Sequence, residues 1–289
     1  MWILFAFLSA FFAGLTAILA KIGIRKTDST VATAVRTVVV LAGSWLVAGI
    51  AGSAGDIASL DGKSLLFLIL SGLATGASWL CYFHALSIGE VNRVTAVDKS
   101  STILTVLLSI LIFGETTHLA VKLCGTLLIA VGTYLMLEWK KAGNGAREKR
   151  AWLPFAAGSA LFAALQSVLA KLGAENVESN LATAVRTAVV LVMAWVMVLV
   201  TRKTGEGRHI PPKELLFICL SGVSTGASWL CYYRALFRGQ ASVVVPIDKL
   251  SIVITAVLAY FVFGEKLTKK TGAGLSLIAV GTLAMAIFR

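Results

Sequence analysis

The 289-residue sequence has few of the residue groupings that build catalytic, metal or nucleotide sites. Its three histidines lie far apart, no Ser–His–Asp set is recognisable, and no His/Cys/Asp group has metal-ligand spacing. No GKS/T phosphate-binding loop is present, so ATP does not drive this chain directly. These absences argue against an enzyme, and the sequence predicts no catalytic residues, no metal ligands and no cofactor.

Cysteine and charge are also scarce. Cys81, Cys124, Cys219 and Cys231 fall inside apolar segments without CxxC spacing, which favours buried thiols over a disulfide or metal site. Charged residues make up only 14% of the chain, whereas 58% is hydrophobic and the mean hydropathy is +0.88. Such a balance is typical of an integral membrane protein.

Ten apolar segments of about 20 residues are long enough to cross a bilayer as helices. They cover residues 2–24, 30–51, 64–86, 91–113, 119–139, 152–173, 180–201, 214–236, 241–263 and 268–288. The first segment lacks a basic n-region and its duplicate lies mid-chain, so we expect a permanent helix and not a signal peptide. The predicted fold is an all-α membrane protein with ten transmembrane helices and no soluble domain.

The second half of the chain repeats the first with a spacing of 150 residues. ATAVRT begins at Ala32 and again at Ala182, and SGLATGASWLCYFHAL from Ser71 returns as SGVSTGASWLCYYRAL from Ser221. A clear internal duplication fixes the architecture before any local signal does. The predicted parts are a first five-helix repeat (1–139), a basic linker (140–151) and a second five-helix repeat (152–289).

Five helices is an odd number, so the second repeat must enter the membrane from the opposite side. Matching loops carry opposite charge, with Arg25 and Lys26 in the first loop against Glu175 and Glu178 in its counterpart. Opposite biases are what a pair of inverted repeats requires. Lysine and arginine then collect with the central linker, which is predicted to be cytoplasmic, with both termini outside. This topology explains the net charge of +12 without a nucleic-acid partner.

Charged residues inside the predicted helices need a reason, because insertion costs about 2.5–3.5 kcal/mol each. Arg36 and Arg186 lie in the second helix of each half, and Asp98 and Asp248 lie just inside the fourth. We hypothesise that each arginine pairs with the aspartate of its own half. The alternative is that these side chains reach the headgroups from the helix ends.

Lys99 and Lys249 follow the aspartates directly and point about 100° away from them on a helix. They would therefore lie nearer a central cavity, or else extend to the headgroups. Pro246 is expected to begin its helix, and the alternative is that it locally opens the helix. Other charged residues lie at helix ends. Lys21 and Lys171 are predicted to extend to the headgroups, and Glu115 and Glu265 are predicted to be turn residues.

Aromatic residues recur on one face of the third helix of each half. Trp79 and Tyr82 are spaced i, i+3, and Trp229 and Tyr232 repeat the pattern. Rings with a polar edge suit a cavity that holds a small organic solute, although an aromatic belt at the membrane interface is the alternative. The spacing of Gly72 and Gly76, repeated in the second half, indicates close helix packing without substrate information.

The chain resembles the EamA-type members of the drug/metabolite transporter superfamily. Both halves end in the pattern DKxS…FGE…IAVGT, and the resemblance covers essentially the whole chain. It implies a ten-helix inverted-repeat fold, alternating access, an inner-membrane location and metabolites such as amino acids as substrates. It also implies cytoplasmic termini, in conflict with the loop charges. On matching positions it places eight residues nearest the cavity, namely Trp79, Tyr82, Asp98, Lys99, Trp229, Tyr232, Asp248 and Lys249.

The sequence therefore predicts a secondary transporter for a small polar metabolite, amino-acid-like or anionic. Basic residues at least as numerous as acidic ones, and first helices without a carboxylate, disfavour a lipophilic cation. Multidrug efflux and a lipid-carrier flippase or scaffold are the alternatives. Asp98 or Asp248 leaves proton coupling open, and the substrate, direction and oligomeric state are not determined.

Overall fold

The computed structural model describes residues 1–88, 94, 97–136, 151–174, 177–203, 210–264 and 268–288. These residues form α-helices, with one short 3₁₀ helix at Ala54–Ser59 and no strand. In chain order the helices are α1 (Trp2–Gly23), α2 (Ser29–Ile50), α3 (Gly62–Ile88), α4 (Ser101–Phe113), α5 (Leu119–Met136), α6 (Trp152–Leu172), α7 (Ser179–Val200), α8 (Pro212–Arg238), α9 (Ala241–Lys249), α10 (Ser251–Phe263) and α11 (Lys269–Ile287).

Nine segments of the described chain are long and apolar enough to cross a membrane. Helices α9 and α10 together make one of them, Ala241–Phe263. Helix α4 belongs to the predicted span 91–113, most of whose first turns lie outside the described residues, as does nearly all of the linker 140–151. The protein is thus a multi-pass, all-α membrane protein.

Residue chemistry at the helix ends explains several of the boundaries. Gly114 and Gly264, the glycines of the two FGE sequences, end α4 and α10 with φ of 62° and 68°. Glycine adopts this left-handed conformation without a Cβ penalty. Asp28 and Glu178, which are repeat counterparts, each accept hydrogen bonds from two backbone N–H groups at the starts of α2 and α7.

Pro246 lies inside α9, so the expectation that it begins the helix is wrong. Proline has no N–H to donate, which weakens the helix around it. The helix ends three residues later at Lys249, and α10 starts at Ser251. As a result Asp248 and Lys249 occupy the last turn of a short helix within the bundle.

The helices of the two halves pack reciprocally: α1 lies along α8 and its counterpart α6 lies along α3, while α2 packs on α7 and α5 packs on α11. Contacts at their ends give the directions. Asp28 before α2 pairs with Lys203 after α7, and Ser53 after α2 donates to Glu178 before α7 at 3.1 Å. Helices α2 and α7, which are duplicates of one another, therefore run antiparallel.

The predicted close packing at the GxxxG sequences is confirmed for three of the four glycines. A Cβ on Gly72 would lie 2.7 Å from the Cβ of Val189, and one on Gly222 would lie 3.0 Å from the carbonyl oxygen of Arg36. Gly76 is equally tight, with its contacts on Met193, whereas Gly226 meets nothing closer than 3.8 Å. These contacts hold α3 against α7 and α8 against α2, the helices that carry the two arginines.

Candidate functional site

A central cavity of about 350 Å³ lies between the two halves and is lined by residues of both. Five of the lining positions occur as repeat pairs 150 residues apart, so the cavity lies where equivalent surfaces of the halves meet. These pairs are Ala13 with Ala163, Thr16 with Gln166, Arg36 with Arg186, Thr75 with Thr225 and Trp79 with Trp229. The rest of the lining is chiefly hydroxyl and aromatic, namely Ser101, Thr102, Thr105, Ser167, Ser228, Tyr232, Tyr233, Val245, Asp248 and Lys249.

Most of the residues predicted for the site line this cavity, namely Arg36, Trp79, Arg186, Trp229, Tyr232, Asp248 and Lys249. Three do not. Tyr82 packs instead against an apolar cluster that contains Ala85 and Ala156. Asp98 and Lys99 lie near the start of the span 91–113, just after its first residues, most of which are not described, and their side chains form an ion pair of 3.8 Å. The two side chains approach one another even though adjacent residues on a helix point about 100° apart.

Arg186 is 1% exposed and is fixed by neutral partners. Its Nε donates to the hydroxyl of Ser71 at 2.9 Å, and its Nη2 donates to the hydroxyl of Thr75 and to Oε1 of Gln166, both at 2.5 Å. The hypothesis that Arg186 pairs with Asp248 is therefore wrong. Hydroxyl and amide oxygens accept the hydrogen bonds of a buried guanidinium, but these partners are neutral and do not balance its positive charge.

Two aromatic rings lie close to the same guanidinium. Its Cζ is 4.5 Å from the ring centroid of Tyr233 and 5.4 Å from that of Trp229. Both distances fall within the range of cation–π attraction. The sequence pattern selected Trp229 and Tyr232 and missed Tyr233, because Tyr233 does not share their i, i+3 face.

Arg36, the counterpart of Arg186, is held much more loosely. Its Nη2 donates to the hydroxyl of Thr33 at 3.5 Å, the outer limit of a hydrogen bond. Thr16, which replaces Gln166 in this half, donates to the carbonyl oxygen of Phe12 and accepts from Thr225 at 3.4 Å. The side chain of Thr16 is too short to offer Arg36 the hydrogen bond that the amide oxygen of Gln166 accepts from Arg186.

Each aspartate is held by a serine from the other half. Ser9 donates to Oδ1 of Asp248 at 2.7 Å, and its duplicate Ser159 donates to Oδ1 of Asp98 at 2.7 Å. The proposed Arg36–Asp98 pair is therefore wrong as well: the partners that the structure gives Asp98 are Ser159 and Lys99. These contacts could not be seen in the sequence, since Ser159 lies 61 residues from Asp98 and Ser9 lies 239 residues from Asp248.

A second cavity of about 210 Å³ shares one residue, Arg36, with the central cavity. It is lined by the end of α1, the start of α2 and part of α8, including Ile24, Ser29 and Ser221. The corresponding region of the other half is filled by buried Leu68 and its neighbours. Arg36 therefore borders both of these cavities, and Arg186 borders the central one.

A buried charge cluster around Glu115 lies at one end of the bundle, which we term the Glu115 end. The carboxylate, 7% exposed, accepts from Nζ of Lys171 at 2.6 Å and from the backbone N–H groups of Ala241 and Ser242 at 2.9 and 2.8 Å. It thereby joins the end of α4, the end of α6 and the start of α9. The expectations of a turn carboxylate at Glu115 and a headgroup-facing Lys171 are both wrong.

Two further contacts reinforce this cluster. Lys171 also donates to the carbonyl oxygen of Gly239 at 2.8 Å and lies 4.7 Å from the ring centroid of Phe113. Lys122, 1% exposed, donates to the backbone carbonyl of Glu115 at 2.7 Å. Buried charges with partners on every side are costly to separate, so the Glu115 end is firmly held.

The ionisation of Glu115 makes the stability of this cluster depend on pH. Burial alone would raise the pKa of Glu115, but hydrogen bonds from Lys171 and Ser242 outweigh it and place the pKa below its ordinary 4.5. A carboxyl with a lowered folded-state pKa adds stability above its unfolded pKa and loses it as the pH falls through the folded value.

We therefore expect the stability contributed by Glu115 to stay constant from about pH 8 to about pH 5 and to vanish under more acidic conditions. The measurement is the thermal unfolding of wild type and Glu115→Gln across this range. Their difference in melting temperature should be flat at neutral pH and shrink below the ordinary pKa of 4.5. A difference that already shrinks between pH 8 and 6 would contradict the assignment.

The opposite end, termed the Lys203 end, carries Asp28, Lys203 and the start of α8. Glu214 accepts hydrogen bonds from the hydroxyl and N–H of Thr27 at 2.7 and 3.0 Å and from the N–H of Lys26. These contacts join the two halves at their basic loops. In the described part of the chain, no group of three or more His, Cys, Asp and Glu could hold a metal ion.

Comparison with known proteins follows from this geometry. The sequence profile of the EamA-like transporter family matches residues 1–138 and 150–287, one match in each half. The chain belongs to the EamA-like transporter family. The family assignment confirms the resemblance seen in the DKxS and FGE patterns, and it makes this a transporter-family protein with two EamA units.

Two curated proteins are similar to parts of this EamA-like chain. An uncharacterized transporter in the cobO 3′ region of Sinorhizobium sp. is 43% identical over 139 residues, which is 48% of this chain and 99% of that protein. An uncharacterized protein of Methanocaldococcus jannaschii is 33% identical over 75 residues, 26% of this chain and 55% of that protein. The Sinorhizobium relative is thus about one repeat long, as expected if a single unit was duplicated.

A crystal structure shares the fold of this EamA-like chain. It superposes with a TM-score of 0.78 and covers 98% of this chain and 96% of its own, at 19% sequence identity. At that identity the likeness concerns the fold alone.

Proposed function

We propose that this protein is a secondary transporter that moves a small polar solute through the central cavity by alternating access. The observation that carries the proposal is the cavity itself, lined by five repeat pairs at the interface of the two halves. A solute site between two similar units that rock against each other is the usual construction of such transporters. The cycle requires no catalytic step.

The proposed architecture is ten transmembrane helices in two inverted five-helix repeats. The antiparallel contact of α2 with its duplicate α7 supports it, because a pair of parallel repeats would orient duplicate helices the same way. The reciprocal pairing of α1 with α8 and of α3 with α6 supports it further. Domain limits at 1–139 and 152–289 with a linker at 140–151 belong to the same proposal.

The proposed solute is a small metabolite that is anionic or amino-acid-like. Among the described residues, three basic side chains, Arg36, Arg186 and Lys249, line the cavity with one carboxylate, Asp248. Hydroxyl groups make up much of the remaining wall, and they suit a polar solute better than a lipophilic one. The paired tryptophans Trp79 and Trp229 supply apolar surface for the solute's carbon skeleton.

We propose that the present conformation is closed at the Glu115 end and gives access from the Lys203 end. Buried residues, among them Leu236, Ala241 and Val244, fill the space between the cavity and Glu115. Toward the Lys203 end the second cavity continues from Arg36. Basic loops at the Lys203 end make it the cytoplasmic side of an inner membrane, with both termini outside.

Transport is tested by reconstituting the protein into liposomes and following uptake of amino acids, organic acids, neutral sugars and tetraphenylphosphonium. We expect uptake of an anionic or zwitterionic solute that falls at least about tenfold in Trp79→Ala and Trp229→Ala, since each indole lines the cavity. Phe261→Ala is the matched control, because that ring is 76% exposed on the outside of α10 and its loss should preserve uptake.

The alternatives predict different results in the same assay. Uptake of tetraphenylphosphonium alone would establish multidrug efflux, which the basic cavity disfavours. No uptake of any solute by folded protein would support a lipid-carrier flippase or a scaffold. If both tryptophans can be replaced without loss of uptake, the solute site does not lie in this cavity.

Proton coupling, if the transport cycle uses it, is assigned to the aspartates. Asp248 lines the cavity, and Asp98 is its duplicate. We expect the uptake of Asp248→Asn or Asp98→Asn to lose its dependence on an imposed pH gradient. Variants that keep the full dependence would exclude both groups as the coupling site.

A further inference from the structure

The two arginines of the cavity are duplicates with different surroundings. Gln166 faces Arg186, whereas Thr16 occupies the same position beside Arg36. Arg186 makes three short hydrogen bonds to side chains, and Arg36 makes one long contact to Thr33. The change from a hydroxyl at Thr16 to an amide at Gln166 therefore accompanies the change from a loosely held to a fixed guanidinium, together with the replacement of Phe83 by Tyr233 at the ring that packs on Arg186.

Gln166 is itself fixed in one orientation by its neighbours. Its Oε1 accepts from Arg186 at 2.5 Å and from the hydroxyls of Thr75 and Tyr233 at 3.3 Å each. Its Nε2 donates to the hydroxyl of Ser167 at 3.1 Å. Because both ends of the amide are satisfied, Gln166 can hold Arg186 in place without moving.

Arg186 nevertheless retains an unused donor. Its Nη1 has no hydrogen-bond partner among the described residues, although the side chain is 1% exposed. None of the partners of Nε and Nη2 is a carboxylate. A buried guanidinium with an open donor and no counter-ion is stabilised strongly by an oxyanion, which accepts the hydrogen bond and balances the charge.

We propose that Arg186 is a fixed binding site for an oxyanion group of the transported solute, a carboxylate or a phosphate. This inference rests on the proposed function, because it assigns a chemical class to the solute of the same cavity. Gln166 is the positioning residue that orients Arg186. Arg36 is not an equivalent site, although it carries the same charge and borders the same cavity.

The test measures binding of four probes, lactate, succinate, glutamate and inorganic phosphate, to the purified protein by thermal shift and calorimetry. We expect at least one of them to stabilise the wild type, since a bound ligand shifts unfolding by mass action. Arg186→Gln should weaken that affinity at least about 100-fold, and Gln166→Thr, which copies the first half, about tenfold. Arg36→Gln removes the same charge and should weaken it by less than about fivefold.

The outcomes distinguish a fixed binding site at Arg186 from a general attraction of anions by the positive charge of the cavity. Equal losses in Arg186→Gln and Arg36→Gln would mean that only the net charge of the cavity attracts anions, and the proposal would be overturned. Anion binding that survives in Arg186→Gln, or a lack of binding by all four probes, would overturn it too. Should Arg186→Gln fail to unfold cooperatively, Gln166→Thr decides, and an unchanged affinity in that variant overturns the proposal.

The liposome assay distinguishes a failure of the oxyanion site from a failure of the proposed transport function. Uptake of a neutral or cationic solute that is unaffected by Arg186→Lys would reject the oxyanion site and leave transport intact. Absence of all uptake by folded wild-type protein would reject transport itself. Lactate, succinate and phosphate compared under one condition distinguish a carboxylate from a phosphate as the preferred group.

Discussion

Glu115→Gln is expected to destabilise the protein by about 3–5 kcal/mol, the usual cost of removing one partner from a buried ion pair. The substitution would leave Lys171 buried without its carboxylate and weaken the hydrogen bonds to Ala241 and Ser242. Unfolding monitored by circular dichroism gives the change in stability. Hydrogen exchange should be faster at the amides of Ala241 and Ser242, which Glu115 protects directly.

Glu178→Gln is the matched control for this prediction. Glu178 also accepts two backbone N–H bonds at a helix start, from Asn180 and Leu181. Its carboxylate accepts from Ser53 as well, and within the described part of the chain it forms no ion pair with a lysine. Its replacement should cost only about 0.5–2 kcal/mol, the value of a helix cap. Equal effects of the two variants would show that Glu115 acts as a cap and that its ion pair contributes nothing.

A double variant distinguishes the ion pair from simple loss of fit. Combining Glu115→Gln with Lys171→Met removes both charges and should recover part of the stability, because the unpaired lysine is gone. Under the proposed closure at the Glu115 end, the single variant should also open that end. Strictly additive losses in the double variant would contradict a coupled pair.

Gly132→Ala is expected to separate α5 from α11 and to destabilise the protein by about 1–3 kcal/mol or more. A Cβ at Gly132 would lie 2.6 Å from the carbonyl oxygen of Gly274, and one at Gly125 would lie 2.8 Å from that of Gly281. Backbone atoms cannot rotate away as the end of a side chain can. The two helices must therefore move apart or bend.

Gly272→Ala makes the same substitution at a position where we expect the stability of the protein to rise. Gly272 lies on α11 with nothing within 4 Å of an added Cβ. Alanine there gains helix propensity, so stability should rise by up to about 1 kcal/mol. Thermal unfolding of the two variants side by side is the measurement. A stabilising Gly132→Ala would show that α5 and α11 are not in backbone contact.

The duplication made much of the fold predictable. The apolar lengths located the described helices to within a few residues, and the repeat matched each helix with a counterpart. The basic and acidic loops indicated antiparallel halves because charge bias acts on each loop separately. Local signals sufficed for these features, including the left-handed glycines of FGE, whose position after an apolar run is a common helix ending.

The polar contacts could not be predicted in the same way. The hypothesis chose Asp98 for Arg36 because opposite charges in one half were the simplest partners. The structure instead uses Ser159 for Asp98 and neutral oxygens for Arg186. Gln166 was visible as the counterpart of Thr16, yet its sequence distance of 20 residues from Arg186 gave no indication that the two side chains meet.

The exchange of serines between the halves has a consequence for how such a chain evolves. A lone repeat cannot supply Ser159 to its own Asp98, so a site of this kind needs two copies in opposite orientations. Identical copies would also have to carry identical residues at every pair. Fusing them into one polypeptide makes their meeting intramolecular and lets each copy mutate independently. The difference between Thr16 and Gln166 requires two separately encoded copies, and a fused chain provides both in one polypeptide, so that a symmetric pocket can become asymmetric.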